Sequence, residues 1–154
     1  MVGILLIAHA PLAGALSAAA AHVYACAPEQ AGAQLRVFDV SPDSEPGANL
    51  AQARALLREI DTGSGVLVLT DAFGASPGNV ATQLAEPGRV AVIAGVNLPM
   101  LLRALCYREG TLAETAEKAL AGGTQGVMQV ASTAVQQQGV RPQGDDLAQL
   151  HHQQ

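Results

Sequence analysis

Seven residues at the start of the chain, Val2 to Ala8, form an apolar run broken in chemistry only by Gly3, and the run ends in His9-Ala10-Pro11. Such a run is too short to span a bilayer. It lacks the alternation of a strand with one wet face, so it reads as a strand buried on both sides. A strand of that kind belongs to a parallel sheet with helices packed on each face. Pro11 suits the first turn of a following helix, where its missing N–H costs nothing. His9 therefore stands where a strand hands over to a helix. In open α/β sheets that edge is where ligands bind.

The rest of the chain repeats the pattern. Residues 11–27 place Leu12, Ala15, Leu16, Ala19 and Val23 at helical spacing up to Pro28. Leu35 to Val40 reads as a second strand, and a turn-rich stretch from Ser41 to Gly47 leads to a helix from about Asn49 to Ile60. Val66-Leu67-Val68-Leu69-Thr70 is the purest strand and is followed directly by Asp71. A short helix over Val80 to Leu84, a strand over Arg89 to Ala94 and a helix over Pro99 to Tyr107 come next. Thr111-Leu112-Ala113-Glu114 has the form of a capping box, opening a helix expected to stop at Gly122-Gly123. Gly126 to Val130 is long enough for one more short strand. From Ala131 to Gln154 the chain has no apolar period and is expected to be a disordered tail, leaving one domain over residues 1–130.

Composition narrows the function classes. Aromatic residues make up 3% of the 154, and the net charge is −5 with Lys118 the single lysine. The core must be built from Ala, Val, Leu and Ile, and a nucleic-acid surface, which needs clustered Lys and Arg, is excluded. Cys26 and Cys106 form no CxxC pair, so neither a disulfide framework nor a zinc site is expected, and no metal. The first 27 residues hold no Lys or Arg and so lack the positive start of a signal peptide. Cleavage near Ala21 would also delete a complete strand and half a helix. With no long uninterrupted apolar stretch, the chain reads as soluble and cytoplasmic, with no membrane insertion.

Alternating strands and helices predict an α/β, flavodoxin-like fold, a mostly parallel sheet in the order 2-1-3-4 flanked by helices. The first and third strands are then neighbours, and they end in His9 and Asp71. A carboxylate there orients one ring nitrogen of the histidine and leaves the other free as a nucleophile. The structural alternative for Asp71 is a turn or N-cap residue. The loop Gly74-Ala75-Ser76-Pro77-Gly78-Asn79 offers Ser76 as an N-cap before Pro77, with backbone N–H groups suited to one phosphoryl group. It lacks the pattern of a nucleotide-binding P-loop. Asn97 and Pro99 read first as a turn and helix start, while His22, His151 and His152 read as solvated side chains.

Three segments resemble, in order, the signature regions of a known family, the EIIA domain of the mannose-type sugar phosphotransferase system. They are the strand ending Ala8-His9-Ala10, the stretch from Leu67 to Asn79 containing Thr70-Asp71-Ala72-Phe73-Gly74-Ala75-Ser76-Pro77-Gly78, and Val92 to Leu101 containing Asn97-Leu98-Pro99-Met100. The resemblance covers residues 1 to about 130. It implies a phosphotransferase component, a cytoplasmic phosphocarrier that accepts a phosphoryl group from HPr on His9 and passes it to an EIIB partner. Asp71 would orient the ring, and Ser76, Gly74 and Ala75 would surround the phosphoryl group. No cofactor is implied beyond the covalent phosphohistidine. The family forms homodimers that exchange an antiparallel last strand, here Gly126 to Val130, and it works beside membrane permease subunits. Ala72, Phe73 and Ala75 depart from the hydroxyl-bearing residue, tryptophan and glycine often found there.

Because the sequence stops some twenty residues after this region, it reads as a free-standing EIIA serving either sugar uptake or a regulatory phosphorelay. The related phosphocarrier subunit of dihydroxyacetone kinase shares the histidine. A small chelatase of the sirohydrochlorin type opens similarly but wants a second ligating side chain near the first. A non-catalytic regulatory module is the remaining alternative.

Overall fold

A computed structural model describes residues 1–24 and 32–131. Four strands, β1 (Gly3–His9), β2 (Leu35–Val40), β3 (Val66–Thr70) and β4 (Val90–Ala94), form one sheet in the order β2-β1-β3-β4. Every pairing is parallel. The five described helices are α1 (Leu12–Val23), α2 (Pro46–Ile60), α3 (Ser76–Thr82), α4 (Leu98–Tyr107) and α5 (Leu112–Gln125).

The central strand explains why both faces must be covered. Along β1, Ile4, Leu6 and Ala8 enter one core with Leu67, Leu69, Leu101 and Ala104. Leu5 and Ile7 enter the other with Val66, Val68, Ala53 and Val80. Side chains alternate across a strand, so one uninterrupted apolar run supplies two cores at once. All of β1 except His9 is buried. That exception places the imidazole at the surface, on the carboxyl edge of the sheet.

Several helix ends differ from the expected ones. Pro11 occupies the N-cap position of α1 rather than its first turn. The described part of α1 ends at Val23, and the expected remainder, residues 25–27, lies outside the described residues. Helix α2 starts at Pro46, three residues before Asn49, because Pro46 takes the N1 position and the Glu45 side chain accepts from the N–H groups of Gly47 and Ala48. Helix α3 starts at Ser76, earlier than Val80.

At the other end of the chain, α5 runs through Gly122-Gly123 to Gln125. A Cβ on Gly122 would lie 2.2 Å from Arg103 Cγ, and one on Gly123 would lie 2.6 Å from Met100 Cε. These glycines let α5 press onto α4 and do not end the helix. The capping box at Thr111 and Glu114 is formed as expected. Residues 127–131 form neither helix nor strand within the single chain, and Val127, Met128 and Val130 stand 71–85% exposed. The segment expected to be an exchanged strand has no partner strand in one copy. The expected tail beyond Ala131 lies outside the described residues, as do Cys26, His151 and His152.

Candidate active site

His9 and Asp71 meet because β1 and β3 are neighbours in register, with Ile7 opposite Thr70. His9, the last residue of β1, and Asp71, the first residue after β3, therefore lie side by side. Asp71 Oδ2 accepts the backbone N–H of His9 at 2.9 Å and lies 2.7 Å from its Nδ1. Its other oxygen, Oδ1, accepts the N–H of Ala72 at 2.8 Å. Burial pushes the Asp71 carboxyl upward, but the His9 backbone N–H, the His9 ring and the Ala72 N–H outweigh it and hold it below the ordinary aspartate value. An ionised carboxylate only accepts, so Nδ1 must carry the proton. Nε2 is left with its lone pair. The His9 side chain is 55% exposed and that of Asp71 13%, so the imidazole faces solvent while the carboxylate that braces it is sheltered.

Ser76 shares a cleft with His9. The cleft has a volume of about 370 Å³ and is walled by Val40, Ser41, Pro42, Ser44, Pro46 and Asn49 on one side and Ser76, Asn79, Val80 and Gln83 on the other. None of these is Lys or Arg. A larger cleft of about 760 Å³ lies around Gly88, Glu109 and Thr111 and includes neither His9 nor Asp71.

The local role expected for Ser76 is corrected. Ala75 is the N-cap of α3, and Ser76 is its first helical residue with Pro77 behind it. With alanine at the N-cap, no side chain caps the helix start. Gly74 adopts φ +83°, the left-handed region that favours glycine, and so turns the chain from Asp71 toward α3. Gly74 and Ala75 belong to the turn but not to the walls of the cleft. Gly78 anchors the turn from behind, since a Cβ there would lie 2.4 Å from the carbonyl oxygen of Ala72.

Asn97 has the structural role expected of it. Its Oδ1 accepts the N–H of Met100 at 2.9 Å, and its Nδ2 donates to the Gly123 carbonyl at 3.0 Å. His22 is exposed in the last turn of α1. Asp39 was not singled out by sequence. At the end of β2, opposite Ala8, its carboxylate accepts from the N–H groups of Ala13 at 2.8 Å and Gly14 at 3.1 Å. It thereby caps α1 from a neighbouring strand and occupies the one helix start nearest to His9 in sequence. An acidic residue one place before the end of the strand beside the first was the available signal. The walls supplied by Ser41, Pro42, Ser44 and Asn49 were likewise not anticipated, because a turn-rich stretch carries no sign of what it faces.

Fold and site together define a class: a doubly wound parallel α/β domain that presents a carboxylate-braced histidine at the carboxyl edge of its two central strands. Residues 3–120 match the family described as the PTS system fructose IIA component, EIIA-man, and the chain belongs to that family. Over 72 residues, 44% of the chain, it is 40% identical to the mannose-specific EIIAB component of the phosphotransferase system of Escherichia coli strain K12. Over 54 residues it is 46% identical to the fructose-specific EIIA component of Bacillus subtilis strain 168. These matches span 22% and 37% of the two relatives' lengths. The mannose/sorbose-specific IIA subunit from Enterococcus faecalis has the same fold, with a TM-score of 0.74 at 23% identity over 87% of this chain and 98% of that one. The dihydroxyacetone kinase and chelatase alternatives are not favoured by these matches.

Proposed function

We propose that the protein is a histidine phosphocarrier of the phosphotransferase system, accepting a phosphoryl group from HPr on Nε2 of His9 and passing it to an EIIB partner. The observation that carries this reading is the 2.7 Å contact between Asp71 Oδ2 and His9 Nδ1, which fixes the tautomer and leaves Nε2 free. The Nε2 lone pair attacks phosphorus while the P–N bond of the donor's phosphohistidine breaks and its electron pair returns to the donor ring. As the His9 ring gains positive charge, the ionised Asp71 stabilises it. Ser76, which lines the same cleft as His9, meets the phosphoryl oxygens. The second transfer is the reverse of the first, onto the acceptor. No resident cofactor enters either step.

Incubation with enzyme I, HPr and phosphoenolpyruvate is expected to give one acid-labile phosphohistidine, and His9→Ala to abolish it. Equal labelling of that variant overturns the assignment. The same reading makes the working form a cytoplasmic homodimer in which Val127, Met128 and Val130 are covered by a second copy, since a segment this apolar is costly to leave exposed. Sedimentation as a monomer at micromolar concentration contradicts that part. Among the described residues no helix is long and apolar enough to cross a membrane.

A further inference from the structure

Phe73 is 85% exposed, in a chain with only two phenylalanines. It follows Asp71 by two residues and stands outside the walls of the His9 cleft. The turn that carries it is held on both sides: Asp71 Oδ1 binds the Ala72 N–H, and Gly78 packs directly beneath the Ala72 carbonyl. A large apolar side chain thus projects from a turn whose backbone is braced. Among the described residues nothing covers it.

We propose that Phe73 is the docking anchor for the protein that delivers the phosphoryl group to His9, seating in an apolar recess beside that partner's phosphohistidine. The inference rests on the phosphocarrier reading. Its geometry follows from the chemistry of transfer: the donor nitrogen must come within bonding reach of the phosphorus on its way to Nε2, so the partner's surface must close over His9. Consecutive Cα atoms are about 3.8 Å apart, which puts the Phe73 Cα within about 8 Å of the Asp71 Cα. Even a transient interface of about 500 Å² per partner covers a disc of roughly 13 Å radius. Phe73 therefore falls within the footprint of a protein donor centred on the His9–Asp71 pair. Rigid aromatic side chains near the centre of an interface carry a disproportionate share of its affinity, because they bury a large area and lose little freedom on binding. A small phosphoryl donor needs no such contact.

The test compares two donors on the full chain. With phospho-HPr, Phe73→Ala is expected to raise KM about tenfold or more while changing kcat less than about twofold, and Phe73→Leu to fall between. With phosphoramidate, a donor that has no protein surface, both variants are expected to be phosphorylated on His9 at the wild-type rate. An unchanged KM for phospho-HPr overturns the proposal. So does a parallel loss with phosphoramidate, which would mean that Phe73 acts on the imidazole itself. Wild-type protein labelled by phosphoramidate but not by phospho-HPr overturns the choice of partner, and wild-type protein labelled by neither overturns the phosphocarrier reading along with it.

Discussion

A single oxygen of Asp71, Oδ2, takes both the backbone N–H and the ring Nδ1 of His9, at 2.9 and 2.7 Å. The carboxylate thus ties the ring's orientation to the strand end from which it grows, and a substitution at Asp71 affects position and tautomer together.

Asp71→Ala is expected to slow phosphate uptake by roughly ten- to a thousandfold with the fold intact, and Asp71→Asn to be intermediate. Wild-type rates in the alanine variant would reduce Asp71 to a turn residue. Stability carries a linked signature. Because the folded-state carboxyl is held below its ordinary value, its stabilisation is fully present above the unfolded aspartate pKa of about 3.9 and is lost as pH falls through the lower folded value. Urea unfolding of the wild type and Asp71→Asn should therefore differ at neutral pH and converge in acid.

Removing Asp39 leaves the Ala13 and Gly14 N–H groups without their acceptor. Asp39→Ala is expected to cost about 1 kcal/mol, the usual worth of a helix N-cap, measured by urea denaturation. Asp39→Asn retains one acceptor oxygen and should lose less. Equal stability of all three proteins would show that solvent replaces this cap without cost.

Gly78→Ala places a methyl group where the Ala72 carbonyl already stands. The start of α3 must shift, at a cost of roughly 1–3 kcal/mol as for other overpacked sites. Since the same carbonyl belongs to the residue whose N–H holds Asp71 Oδ1, phosphate uptake should fall with stability. A variant that melts and labels as the wild type does would show that the turn has room to spare.

Thr70 Oγ1 is buried beside the site without a hydrogen-bond partner. Burying an unpaired hydroxyl is unfavourable, so Thr70→Val, which keeps the shape, is expected to be neutral or to stabilise by about 1 kcal/mol. A clear loss of stability on thermal unfolding would point to a bridging water.

The architecture was largely legible in the chain because it is written in short-range patterns. The unbroken apolar runs of β1 and β3 demand burial on two faces, and their alternation with helical periods leaves few topologies besides a parallel sheet. His9 and Asp71 could be paired from that topology alone, since strand ends are fixed by the apolar runs that precede them. The parts decided by tertiary structure depend on what lies opposite a residue, which no local pattern records. Gly122 and Gly123 carry the sequence signal of a helix stop, yet α5 continues through them, and they lack side chains where Arg103 and Met100 occupy the space. Ser76 has the composition of a cap but is the first helical residue of α3, on the wall of the cleft that His9 also lines. Asp39 looks like any polar end to a strand and becomes the cap of α1 only because β2 lies next to β1. Periodicity sets which elements form and which faces they bury, whereas close approach between elements distant in sequence sets where they end and which polar groups they hold in place.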